Sequence, residues 1–317
     1  MYKSFFHLKS GPFGTSPDPR FLYMMPHTRE ALACLEYGIS ARKGFIVLTG
    51  EVGTGKTTLL RRALASFDQS RVFTSFVFNP RFDVLDFLEF VLSDFGITPA
   101  SRTKSGMLIQ LNRWLVERFR REETCVIVVD EAQNLSWELM EEIRLLTNLE
   151  TSSEKLVQIV LSGQPELEEK LRQPNVRQLR QRISLWCRTQ AITAEQTADY
   201  IAQRLLIAGT SDTIFSRDAV AAIHRASCGI PRTINIICEH ALILGYVEQL
   251  HQISAAVVFA VVQDLNLDTL PFVVSSTQSG FPAARQSGDQ DHTPLASQAP
   301  ATTFRTAASK EPGRQDR

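Results

Sequence analysis

Eight residues, GEVGTGKT at 50–57, restrict this chain more than any other feature. They follow an apolar run, FIVLT at 45–49, and open a helical pattern, TLLRRALASF at 58–67. Gly50, Gly53 and Gly55 let the backbone curl until its N–H groups surround an anion at the positive end of a helix. Lys56 supplies a point charge for β- and γ-phosphates, and the Thr57 hydroxyl suits Mg²⁺. A loop of this kind needs a strand before it and a helix after it, and both are present. The run Gly50, Glu51, Val52, Gly53, Thr54, Gly55, Lys56 and Thr57, with Thr58 behind it, is the expected nucleotide-binding segment.

The surrounding pattern supports the same reading. Further apolar runs lie at 72–78 (VFTSFVF), 125–130 (CVIVVD), 156–162 (LVQIVLS) and 183–187 (ISLWC), with helical segments between them. Nearly continuous apolar strands alternating with helices predict a parallel sheet covered on both faces. Ahead of them, HTREALACLEYGIS predicts a helix that Gly38 ends. From 193 onward the pattern is helical only: Thr193 with Gln196 reads as a capping box, Gly209 as a stop and Ser216 as a further N-cap. After about residue 272 the chain turns to Ser, Gln, Ala, Pro and Thr without periodicity, which predicts a disordered tail.

The strand 125–130 ends in two acids, Asp130 and Glu131. Two carboxylates at the end of a buried strand are costly unless a cation or water receives them. Beside a magnesium–nucleotide complex, Asp130 can hold the metal and Glu131 can polarise the attacking water. The strand 156–162 ends in polar residues; Gln164 is the preferred sensor of phosphate or water, with Ser162 second. Arg177, Arg180 and Arg182 precede the last strand. One of them is expected to reach a neighbouring subunit's nucleotide, and Arg182, at the helix-to-strand junction, heads the list. GIPRTINIICEHAL at 229–242 starts a helix with Pro231, leaving Arg232 at its positive end, where a cation is mildly disfavoured unless an anion lies nearby.

Composition narrows the class. The chain has 317 residues, 44% of them hydrophobic, and 34 basic against 34 acidic side chains, so no net field points to nucleic acid. Cys34, Cys125, Cys187, Cys228 and Cys238 show no C-x-x-C spacing, which suggests neither zinc nor a disulfide framework and fits a reducing compartment. No signal-type leader and no run of ~18 apolar residues is legible, so a cytoplasmic location is expected.

Taken together, PFGTSPDPRFLY, GFIVLTGEVGTGKTT, VVDEAQNL, SGQPEL, LRQRI, YIAQRLLIAG and GIPRTIN resemble the AAA+ superfamily, and within it the general secretion pathway A (ExeA-like) ATPases. The resemblance runs over roughly residues 1–268. It implies a P-loop αβα sandwich with a five-stranded parallel sheet in order 5-1-4-3-2 and a C-terminal all-α lid, with ATP and Mg²⁺ bound between subunits of a homo-oligomer. It implies an N-terminal segment (1–40) packing on the nucleotide, an ATPase core (41–190), a helical lid (191–270) and the tail (271–317). Arg232 falls at the sensor position of the lid, which would give that cation its anion. Phe13, Tyr23 and His27 are candidates to contact the adenine. Longer relatives continue into a membrane span and a peptidoglycan-binding part, neither of which is legible here. The expected function is Mg²⁺-dependent ATP hydrolysis serving a cell-envelope secretion or export machine, in the cytoplasm or at the inner face of the inner membrane. The alternative is an ATP-regulated DNA-binding adaptor like the transposition ATPases; the basic clusters RRAL, RFRRE and VRQLRQR keep it open.

Overall fold

Five short parallel strands form the centre: β1 (Phe45–Thr49), β2 (Val72–Val77), β3 (Thr124–Val129), β4 (Val157–Gly163) and β5 (Leu185–Arg188). The computed structural model describes residues 1–267 apart from positions 17, 79 and 153. The order across the sheet is β2-β3-β4-β1-β5, which is the expected order read from the opposite edge. Burial explains it. Every residue of β1 and β4 is buried, and these two occupy the interior; β2, at the edge, is only partly covered.

The helices α1 (Tyr2–Phe5) and α2 (Pro26–Ser40) precede the sheet; α3 (Lys56–Ala65), α4 (Val84–Asp94), α5 (Lys104–Arg120), α6 (Trp137–Leu146), α7 (Pro165–Arg172) and α8 (Arg177–Arg180) fill its connections; α9 (Ala194–Ile207), α10 (Arg217–Ser227), α11 (Pro231–Val247) and α12 (Ala255–Asp264) follow it. Successive strand side chains point to opposite faces, and the core divides accordingly. Phe45, Val47, Ile127, Val129, Ile159 and Leu161 pack with residues of α4 to α7. Ile46, Leu48, Val126, Val128 and Val160 pack with Ala31, Leu35, Ile39, Leu59 and Leu60 of α2 and α3. The result is the αβα sandwich. A third cluster joins α9 to α12 with Phe6, Leu8, Phe13 and Met25 from the N-terminus.

The predicted caps of the C-terminal helices hold. Thr193 and Gln196 form a reciprocal capping box on α9, the Ser216 hydroxyl accepts from the Ala219 N–H, Gly209 follows α9 at φ +105°, and Pro231 opens α11. One glycine was misread. Gly38 does not end α2, which runs on to Ser40. An added Cβ there would lie 2.5 Å from Ile46 Cδ1 and 2.8 Å from Leu185 Cδ1, so Gly38 lets the helix approach the sheet. The expected tail, 271–317, lies outside the described residues. Among those described, no helix is long and apolar enough to cross a membrane.

Parallel pairing aligns Thr49 with Gly163 and with Arg188, and Val129 with Leu161. The C-terminal ends of β1, β3, β4 and β5 therefore meet at one rim. Ligands of open α/β sheets bind in the crevice outside such a rim.

Candidate nucleotide-binding and catalytic site

The phosphate loop leaves the end of β1 and enters α3. Gly53 (φ +81°) and Gly55 (φ +96°) both adopt left-handed backbone, which side chains resist. Gly50 faces a steric demand instead: a Cβ there would come within 2.1 Å of Thr189 Oγ1 and 2.6 Å of the Thr189 carbonyl oxygen. Thr54 braces the loop, its hydroxyl 2.7 Å from that of Thr189 and 2.7 Å from the Glu51 carbonyl. Lys56 is buried, and its ammonium donates to the carbonyls of Gly50 (2.8 Å) and Glu51 (3.0 Å). Burial pulls it below the usual lysine range, opposed by the carboxylates of Glu131 and Asp130.

Asp130 begins directly after β3, only 4% exposed, with its N–H on the Val77 carbonyl. Its carboxylate accepts one hydroxyl on each oxygen: Thr57 on Oδ2 at 2.7 Å and Ser162 on Oδ1 at 2.7 Å. Ser162 is fully buried, and its hydroxyl holds Asp130. A hydroxyl and a carboxylate oxygen in contact, both hard donors beside a phosphate loop, fit a magnesium ion that keeps most of its waters. The three left-handed or crowded glycines and the buried lysine likewise fit a polyphosphate.

Glu131 has φ +53°, a strained conformation for a side-chain-bearing residue. Its Oε2 accepts two amides, Gln133 Nε2 at 2.6 Å and Gln164 Nε2 at 3.1 Å. Gln164 is thus brought against Glu131. Both Glu131 and Lys56 line a pocket closed on the far side by Arg232, whose backbone N–H donates to the Gly53 carbonyl at 3.1 Å. The awkward cation at the start of α11 therefore sits over the phosphate loop.

The N-terminal segment divides in two. Tyr23 and His27 line the pocket, together with Gly14, Asp18 and Thr28. Phe13 does not. It is 1% exposed and packs edge-on against Phe215 inside the third cluster, because residues up to 13 dock on the C-terminal helices rather than on the pocket. Sequence reasoning also missed pocket residues. Arg204 of α9 is buried beside Phe21 and Tyr200, donating to the Pro12 carbonyl, the Tyr200 hydroxyl and Asn235 Oδ1. Its signal was available: a lone cation within the apolar stripe of YIAQRLLIAG. Asn235 and Thr189 gave no comparable signal.

Arg182 lies elsewhere. Its guanidinium donates to Thr147 Oγ1 at 2.8 Å, and the next residues bond the start of β1, Ser184 N–H to the Phe45 carbonyl. The phosphate loop leaves the other end of that five-residue strand, about 15 Å away. Arg182 faces away from its own pocket; Arg177 and Arg180 are exposed nearby.

Strand order, phosphate loop and the paired acids define the fold of the P-loop NTPases, with an AAA-type sheet. Residues 39–171 match the family described as AAA domain. More narrowly, the chain is 41% identical over 254 residues to general secretion pathway protein A of Aeromonas hydrophila, a match over 80% of this chain and 46% of that protein. The chain spans about half the length of this curated relative. Among solved structures, Drosophila ORC bound to DNA superposes with a TM-score of 0.64 at 18% identity, covering 84% of this chain and 66% of that one. Cdc6p from Pyrobaculum aerophilum gives 0.62 at 18% identity, covering 83% and 70%. These likenesses concern the fold alone.

Proposed function

We propose that the chain binds and hydrolyses ATP with Mg²⁺ at this pocket, in a homo-oligomer that serves a cell-envelope secretion or export machine. The observation that carries the chemistry is the convergence of Lys56, the Thr57–Asp130 pair and Glu131 on one crevice. The phosphate loop from Gly50 to Thr58 cradles the phosphates through its N–H groups, and Lys56 neutralises the β/γ oxygens. Thr57 and Asp130 would hold the magnesium, which when bound supplies charge neutralisation for the transferring group. Ser162 keeps Asp130 in place. Glu131 orients and polarises the attacking water, with Gln164 beside it, and Arg232 approaches the terminal phosphate from α11.

A phosphoryl group in transfer also needs a cation in line with the leaving oxygen. Arg182, at the end of the strands opposite the phosphate loop, is the proposed source for the neighbouring subunit's site. Similarity to general secretion pathway protein A supports the secretion role; the proposed location is the cytoplasm or the inner face of the inner membrane. The test is complementation. Arg182→Ala and Lys56→Ala each lack a different half of the shared site, so both are inactive alone. A co-assembled mixture should regain activity at interfaces where Arg182 of the Lys56→Ala subunit meets an intact loop. A mixture that assembles and stays inactive removes Arg182 from the trans role.

A further inference from the structure

Between the two acids and the following helix lies a glutamine that none of the roles above uses. Gln133 sits in a short 3-10 turn, Ala132–Asn134, directly after Glu131. Its carboxamide is engaged at both ends. Nε2 donates to Glu131 Oε2 at 2.6 Å, and Oε1 accepts the backbone N–H of Gln164 at 3.2 Å. The orientation is dictated chemically: an ionised carboxylate only accepts, and a backbone N–H only donates, so the amide fits one way round. The backbone is fixed as well, because the Lys170 ammonium donates to the Gln133 carbonyl at 3.1 Å.

Room for this amide is built into the neighbouring strand. Gly163 ends β4, and a Cβ there would lie 2.9 Å from Gln133 Oε1. The Gly163–Gln164 pair thus receives the carboxamide, with space from the first residue and an N–H from the second. Two motifs far apart in sequence, DEAQ and SGQP, are joined by this side chain in addition to the Ser162–Asp130 and Gln164–Glu131 hydrogen bonds.

The consequence falls on Glu131. Its backbone is held in left-handed geometry, and its Oε2 is occupied by both glutamines, while no hydrogen bond to Oε1 is formed among the described residues. Glu131 lines the pocket and Gln133 does not. We infer that Gln133 is a positioning residue, which clamps Oε2 of Glu131 so that Oε1 is presented to the attacking water. This rests on the reading of Glu131 as the water-orienting carboxylate.

Loss of such a supporting partner typically lowers activity about 10–100-fold. In Gln133→Met, which keeps length and volume but removes the amide, kcat should fall in that range while KM and the equilibrium affinity for ATP stay within about twofold. Gln133→Ala serves as a second variant should the methionine repack. The decisive comparison adds Gln133→Met to Glu131→Gln. A residue acting only through Glu131 has nothing left to act on there, so the residual phosphate release of Glu131→Gln should change by less than about twofold. Equal losses in both backgrounds, or a loss of ATP affinity matching the loss of rate, overturn the inference and assign Gln133 a structural role. Wild-type kcat in Gln133→Met overturns it too. Absence of hydrolysis in the wild-type chain is a separate outcome and removes the reading on which the inference rests.

Discussion

Substituting Gly50 by alanine tests whether the phosphate loop is shaped by sterics as well as by backbone freedom. Gly50 is not in left-handed backbone, so no conformational penalty applies; the whole effect comes from the added methyl group. That methyl would fall 2.1 Å from Thr189 Oγ1, 2.6 Å from the Thr189 carbonyl oxygen and 3.1 Å from Thr54 Oγ1. The hydroxyls can rotate. The carbonyl cannot, because the Thr189 N–H is anchored to the Thr49 carbonyl at 2.8 Å, so the loop or the end of β5 must move. Overpacking of this kind costs about 1–3 kcal/mol. For a chain of this size each kcal/mol lowers Tm by about 2–4 °C, which gives a drop of about 2–12 °C. If the loop yields, the N–H cradle is displaced, and each 1.4 kcal/mol of that strain weakens ATP binding about tenfold. Gly14 is the control: it lines the same pocket, but a Cβ there meets nothing within 4 Å, so Gly14→Ala should stay within about 0.5 kcal/mol of wild type. Thermal unfolding and titration with a fluorescent ATP analogue measure both effects. Wild-type Tm and affinity in Gly50→Ala would refute the steric argument.

Gly38→Ala sets helix propensity against packing. Propensity alone stabilises by about 1 kcal/mol, whereas the methyl's 2.5 Å approach to Ile46 Cδ1 predicts net destabilisation, read as a lower midpoint in urea. Arg204→Met removes the donors to the Pro12 carbonyl, Tyr200 and Asn235. Hydrogen bonds from a buried charge contribute about 1.5–3 kcal/mol, so calorimetry should show a loss of that order together with weaker ATP binding. Specific activity should rise with protein concentration, because arginine fingers in other P-loop enzymes contribute ~10³–10⁵ in rate; a flat dependence across the range where sedimentation shows assembly contradicts a shared site.

The sheet was legible because its strands are short, apolar and separated by helical periods, and because the phosphate loop fixes which strand comes first in the crevice. The caps at Thr193, Ser216 and Pro231 were legible because each is a local event of three or four residues. Gly38 was misread for the opposite reason: a helix-stopping glycine and a close-packing glycine look alike until Ile46 and Leu185 are placed beside it. Phe13 was misassigned because an aromatic near a pocket motif does not reveal which side of the chain it packs on; here the C-terminal helices claim it. Arg204 and Gln133 went unassigned because their roles depend on partners up to 192 residues away in sequence, or across strands, that no spacing rule connects.

Glu131 is the proposed water-orienting carboxylate. Its side chain lines the pocket yet touches neither the phosphate loop nor the Asp130 carboxylate through a side-chain hydrogen bond among the described residues. Glu131→Gln should therefore bind ATP within about threefold of wild type. A positioned acid–base group contributes about 10²–10⁴ in rate, so phosphate release should fall by that factor at saturating ATP and Mg²⁺. Lys56→Ala, measured in parallel, should instead lose ATP binding, because the charge opposite the phosphates is gone. Phosphate release by Glu131→Gln at the wild-type rate, with ATP binding intact, would contradict the assignment of hydrolysis to this carboxylate.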